Sequence, residues 1–330
     1  MKSHSLNFFP ACVILAVILT AIVPGLVFAN EENGIIPSTE LVLQASTRPE
    51  IKLGITQSWA FPFLRGSNPL VSGNNIKPGV SFEVTPVGMA GLAQFVWTPI
   101  AFLEISGGGK FGTGWNLPIA YGIGLNVPMG TPGSGPGPNG ERKSEIDASP
   151  FDGLQWRAWA GGTFQFDLGA VVPGDWNHIV FRAYTEMRYS GYSRAGKNDA
   201  WIMESDDGDN MNGWISYSSF VLGYQIPRSP VLKMAAFMFE MDFNFYDVPN
   251  KVKWGGDKGR FIISSVLNFD IIPRLNAMLA VQMRTRRNYG TSDYENDSSL
   301  WYRDMTLQDK GGKTRLVFYR VALILNYKIF

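Results

Sequence analysis

The residues of this chain whose types and spacing could do chemistry are charged side chains set at alternate positions of otherwise apolar segments. Arg157, Arg182, Glu186, Arg188, Glu240, Asp242, Arg284, Arg286 and Arg320 all sit this way, and Glu83, Glu104, Asp167, Arg260 and Asp270 follow the same phase. In an extended chain a period of two puts such residues on one face. Rings of cations and carboxylates around a water-filled bore would set ion preference through their local field. The same charges could instead pair with one another and fill a narrow interior, and the spacing alone is compatible with both.

Other constellations point to less. Gly107-Gly108-Gly109-Lys110-Phe111-Gly112 fits G-x-G-x-x-G, but that pattern holds pyrophosphate only where a helix follows, and Trp115 to Leu125 reads as strand. A glycine-rich turn is the expectation. Glu204 to Gly213 is rich in acids, yet their spacing departs from that of a calcium loop. A solvated loop accounts for it better. His178 is the one histidine beyond the first few residues and lies beside a short turn, the place of a rim histidine more than of a general base. No catalytic set, cofactor site or metal cluster is expected, and no enzymatic activity.

The elements that must position these charges are strands. Trp156, Ala158, Ala160, Phe164 and Phe166 alternate with polar residues over Leu154 to Leu168. Ile179 to Tyr189, Trp214 to Ile226, Val231 to Tyr246, Phe261 to Ile271 and Leu275 to Arg287 repeat the pattern. Phe237, Phe239, Met241, Phe243 and Phe245 would form an aggregation site in water, so lipid or a packed sheet must cover them. Nearer the N-terminus, strands are expected over Thr39 to Ser46, Ile51 to Trp59, Val80 to Val84, Leu92 to Ser106 and Trp115 to Leu125, with a loop from Phe61 to Pro78. Pro99 interrupts the ladder of the fourth of these. Long loops are expected near 127–153, 190–213, 247–259 and 288–313, separated by short turns such as Pro227 to Pro230 and Pro273-Arg274.

The last strand, Arg315 to Phe330, alternates Val317, Tyr319, Val321, Leu323, Leu325, Tyr327 and Ile329 against Arg320, Asn326 and Lys328, and ends on Phe330. It resembles the C-terminal strand of bacterial outer-membrane β-barrels, porin-like proteins whose chains typically end in Phe. The resemblance implies an all-β, up-and-down antiparallel transmembrane barrel. Counting the strands gives about twelve, with ten or fourteen also compatible, and an even number returns both termini to the periplasm. It also implies an outer-membrane location, lipid and lipopolysaccharide as surroundings, and recognition of the strand ending in Phe330 by the barrel-assembly machinery. A barrel of this size leaves room for a narrow or plugged pore, so the expected function is passive passage of small hydrophilic solutes. The alternative is a non-conducting structural or adhesin-type barrel acting through its loops.

Composition agrees with export. Residues 1–29 read as a signal peptide, with Lys2 before an apolar stretch from Ala11 to Val23 and Val27-Phe28-Ala29 as cleavage site. The only cysteine, Cys12, lies inside it, so disulfides and thiolate chemistry are not expected in the mature chain. A net charge of +1 gives no basic excess to attract nucleic acid.

Overall fold

In the computed structural model the dominant element is the strand. The structure describes residues 34–48, 50–117, 122–128, 144–147, 149–172, 174, 178–196, 200–204, 210–245, 259–286 and 315–329. The expected signal peptide, Phe330 and nearly all of the spans 247–259 and 288–313 lie outside the described residues. In chain order the strands are β1 (Ile36–Ser46), β2 (Glu50–Pro62), β3 (Asn75–Thr85), β4 (Gly88–Ile100), β5 (Leu103–Gly114), β6 (Ile123–Pro128), β7 (Ser144–Asp147) and β8 (Gln155–Asp167). They continue with β9 (Ile179–Tyr192), β10 (Ala200–Met203), β11 (Gly213–Gln225), β12 (Leu232–Asn244), β13 (Arg260–Ile272), β14 (Leu275–Arg286) and β15 (Arg315–Lys328).

Twelve of these close into an antiparallel up-and-down barrel in the order β1-β15-β14-β13-β12-β11-β9-β8-β5-β4-β3-β2. The seam is the pairing of β1 with β15, from Glu40 opposite Lys328 to Ser46 opposite Ala322. Closure leaves no unpaired edge, so every wall strand satisfies its backbone groups on both sides, as hydrocarbon surroundings require. Strands about 4.8 Å apart and tilted by about 40° close twelve-fold at a backbone diameter of about 24 Å. The remaining strands form a separate sheet, β10-β6-β7, at the end of the barrel opposite to β1's start and β15's end.

Side-chain alternation sorts the wall into two faces. Phe237, Phe239, Phe243 and Phe245 of β12 and the residue after it are exposed on the outside, as are Phe164 and Phe166 of β8, Phe181 of β9 and Leu222 of β11. Their inward neighbours include Glu240, which accepts from Tyr217, and Glu186 and Asp242, which both pair with Arg188. An apolar outer surface and a polar inner one invert the arrangement of a water-soluble sandwich.

Three sequence expectations are corrected. The segment Leu92 to Ser106 is two wall strands, because the chain turns at Ala101-Phe102 and Ile100 pairs back onto Leu103. Trp115 to Leu125 is not a wall strand. Ile123 is instead buried in the small sheet's own core with Tyr192 and Trp201, and Leu125 packs against them. One strand gained and one lost leave the count at twelve. The run Gly107 to Gly112 lies inside β5 and is no turn. A Cβ on Gly108 would come within 2.5 Å of the Trp159 ring and 2.6 Å of the Ala93 carbonyl, which is the local reason for glycine there.

The last strand also departs from simple alternation. The register with β14 slips between Gln282 and Met283, so Arg320 opposes Gln282 while Phe318 opposes Met283. Tyr319 is the extra residue of this bulge. Phe318 and Leu316 therefore point outward, and Tyr319, expected on the lipid face, turns its ring to Arg48, Arg284 and Arg320.

Candidate functional site

The ion-paired charges of the interior gather in the half of the barrel away from the termini, in three groups. On β2, β3 and β5, Glu83 accepts from Lys52 at 3.2 Å and from Lys110 at 2.6 Å. On β9, β11 and β12, Arg188 pairs with Glu186 at 3.3 Å and with Asp242 at 2.7 Å, and its guanidinium covers the Tyr217 ring at 5.2 Å. Two phenols complete that group. The Tyr184 hydroxyl donates to Glu186 at 2.5 Å and the Tyr217 hydroxyl to Glu240 at 2.7 Å. On β2, β13, β14 and β15, Arg320 pairs with Glu50 and donates to Gln282 at 2.6 Å, while Gln282 donates to the buried Ser264 at 2.9 Å. Arg48, Arg284 and Arg320 surround Tyr319 at 5.1, 4.3 and 4.7 Å from its centroid.

Of the residues expected to line the interior, Glu186, Arg188, Glu240, Asp242, Arg284 and Arg320 thus enter this belt. Arg157 lies in the same zone, opposite Lys110 on β5 and Ser190 on β9. Arg182 sits nearer the termini, exposed, with its guanidinium 5.9 Å from the Tyr184 centroid. Arg286 ends β14 opposite Arg315, and its side chain lies outside the described residues. Sequence reasoning missed Lys52, Lys110, Glu50, Tyr184, Tyr217 and Tyr319 as members. The lysines and Glu50 carried the right phase on their strands; the tyrosines carried no charge to draw attention.

The half nearer the termini contains two recesses among the described residues. One recess of about 490 Å³ is lined by Glu40, Lys233, Asp270, Asn276, Asn326 and Lys328 among others. A second of about 430 Å³ shares Lys233, Asp270 and Asn276 with it and adds His178, Gln225 and Asn268. His178 is therefore part of the wall of a vestibule of mixed polar and apolar lining, close to the turn where the sequence put it. Asp167, by contrast, accepts from the Gly169 N–H at 2.8 Å and caps a short 3-10 turn, a local structural use of its charge.

At the other end, the small sheet built from β6, β7 and β10 rests on the rim. Trp201 donates to Asn212 at 3.1 Å, and Asn212 accepts the Tyr192 N–H at 2.7 Å and donates to the Ala195 carbonyl at 2.9 Å, tying this sheet to the top of β9. Beyond β10, Glu204 reaches down to accept from Thr85 Oγ1 at 3.1 Å, and its own N–H donates to the Gly122 carbonyl at 2.7 Å. The Met203 methyl lies 3.5 Å from where a side chain on Gly112 would begin. The acidic run is thus not wholly solvated, since its first carboxylate is seated on the rim; residues 205–209 lie outside the described residues. Among the described residues, no cluster of His, Cys, Asp and Glu could hold a metal ion.

Burial pushes the Glu204 carboxyl above the usual range, against the pull of Lys110 and the Thr85 hydrogen bond. A carboxyl raised in the seated state binds more protons there than when released, so seating is favoured at low pH and weakens as pH rises from the ordinary carboxylate range through the raised value. Hydrogen exchange of the Glu204 amide, corrected for the intrinsic pH dependence, should show protection falling over that window in the wild type. In Glu204→Gln the protection should be flat with pH.

A closed, even-stranded antiparallel barrel, apolar outside and charged within, is a transmembrane β-barrel of the outer-membrane class. Among the described residues no helix is long and apolar enough to cross a membrane. No family model matches the chain, and no curated protein does. Solved structures similar to it include the KdgM porin, at 8% identity and a TM-score of 0.35, covering 89% of this chain and 99% of that one. The NanC porin matches at 7% identity and a TM-score of 0.37, covering 89% and 100%. The β-domain of the Bordetella autotransporter BrkA matches at 8% identity and a TM-score of 0.44, covering 89% and 98%. The class rests on the chain's own closure and faces.

Proposed function

We propose that this barrel is a narrow channel for the passive passage of small hydrophilic solutes across the outer membrane, without an enzymatic step. The observation that carries the reading is the belt of paired charges around Glu83, Arg188 and Arg320 on the inner face of a closed wall, with recesses of mixed polar and apolar lining around Lys233, Asp270 and Asn276 toward the termini. A barrel that only had to fill its core would gain nothing from burying so many charges, which cost desolvation even when paired. The belt acts as a constriction whose field selects among ions and polar solutes. Conductance of the refolded protein in planar bilayers tests this directly: discrete steps are expected, and silence at all voltages would remove the channel. Arg284→Glu combined with Arg286→Glu should move the reversal potential in a salt gradient toward cations without loss of folding. An unchanged potential would mean that these charges are fully compensated.

A second reading is favoured by the sheet β10-β6-β7 and its own small core, since a loop that folds as a unit suits a surface that others bind. On that reading the barrel is structural or adhesin-like. Its discriminating result is a closed bore together with binding that is lost when the segment between β5 and β8 is shortened. On either reading, lipopolysaccharide is the neighbour of the far rim and the strand ending in Phe330 is the segment handed to the assembly machinery.

A further inference from the structure

Arg157 lies near the belt carboxylates of Glu83, Glu186 and Asp242 without forming an ion pair with any of them. Glu83 is shared between Lys52 and Lys110, while Glu186 and Asp242 are held by Arg188. Arg157 sits between these two groups with no hydrogen bond or ion pair to any described residue, and its Nε is buried without a partner. The β-sheet register puts Lys110 directly beside it on one side and Ser190 on the other, with Arg188 next along the inner face of β9. Ser190 is 4% exposed, and its buried hydroxyl also lacks a partner. So does the Nε of Arg188.

Unsatisfied donors this close together are unusual, because each buried polar group left unpaired is costly. Here they share one sign and one need. A guanidinium, a hydroxyl and a second guanidinium edge all donate, with an ammonium beside them, and the carboxylates nearby are already engaged. A planar carboxylate matches the fork of a guanidinium and the adjacent hydroxyl donor.

We propose that Arg157 and Ser190, flanked by Lys110 and Arg188, form a binding subsite for the carboxylate of a small acidic solute in the constriction. The subsite deepens the channel reading, on which access through the bore depends. Solute arriving from the vestibule meets Arg182 first and then this group, so successive cations pass the carboxylate along the wall formed by β8 and β9. No bond is made or broken.

Citrate is the probe, with glucose as the neutral control. Calorimetry of the refolded full barrel in detergent should give saturable citrate binding and none for glucose. Arg157→Gln should weaken citrate by at least about tenfold, and Ser190→Ala by about threefold, in keeping with lost charged and neutral hydrogen bonds. In planar bilayers, Arg157→Gln should also shift the reversal potential toward cations. Absence of saturable citrate binding, or equal affinity in the wild type and both variants, overturns the subsite. If Arg157→Gln does not refold, an unchanged affinity in Ser190→Ala is by itself enough to overturn it. The two readings separate cleanly: a silent bilayer with citrate affinity lost in Arg157→Gln supports the subsite and retires the channel. A conducting barrel with citrate affinity unchanged in the variants retires the subsite and keeps the channel.

Discussion

Phe239→Arg is expected to destabilise the barrel by about 2–4 kcal/mol, the cost of setting a guanidinium on the lipid face near mid-membrane. Phe239 lies well inside β12, exposed on the outer surface and stacked on Phe261 at 5.6 Å between centroids. Arginine there loses the aromatic contact and places a charge in hydrocarbon, from which its long side chain escapes only by snorkelling toward the interface. Denaturant titration of refolding in lipid vesicles measures the difference. An arginine tolerated at 239 would mean that the inner and outer faces are assigned the wrong way round.

Removing the central cation of the belt should come close to this in size. Arg188 is 14% exposed at its side chain, between Glu186 at 10% and Asp242 at 21%. Arg188→Met leaves two carboxylates near each other without their counterion, and breaking a buried pair in this way costs several kcal/mol when water is excluded. Interior water screens part of that, so about 2–3 kcal/mol is the expectation. The same vesicle titration reads it, and adding Asp242→Asn should recover part of the loss, since the pair then couples in a double-mutant cycle. A loss no greater than that of a surface substitution, with no recovery, would mean that the belt is well hydrated and carries little stability.

Much of the wall was legible from alternation alone, because lipid outside and water inside impose opposite chemistry on odd and even residues of every spanning strand. From β8 through β14 the phase read from the sequence matches the faces seen, through Phe166, Glu186 and Phe239. It failed where chemistry did not change between neighbours. Leu316-Val317-Phe318-Tyr319 is apolar in either phase, so nothing in it marks the bulge that turns Tyr319 inward. The turn at Ala101-Phe102 lacks glycine, asparagine or aspartate, and only Pro99 hinted that one long segment was two strands. Trp115 to Leu125 alternates as well as a wall strand does, yet its apolar face serves the small core around Ile123 and Trp201. Period two reports one buried face and is silent on what buries it. The belt was legible as a set of charges on one face, but not as partners, because pairing such as that of Glu50 with Arg320 depends on the closure that brings β2 near β15.

The most direct test of the central claim is spin-label accessibility along β12 in lipid vesicles. With Cys12 the only natural cysteine, and within the predicted signal peptide, single cysteines at 237 through 242 can be labelled one at a time in the mature chain. Labels replacing Phe237, Phe239 and Met241 should collide with oxygen dissolved in the bilayer, and labels at Met238, Glu240 and Asp242 with a water-soluble nickel chelate. Two accessibilities alternating out of phase are the predicted result; accessibilities in phase, or with lipid exposure at 240 and 242, would contradict it.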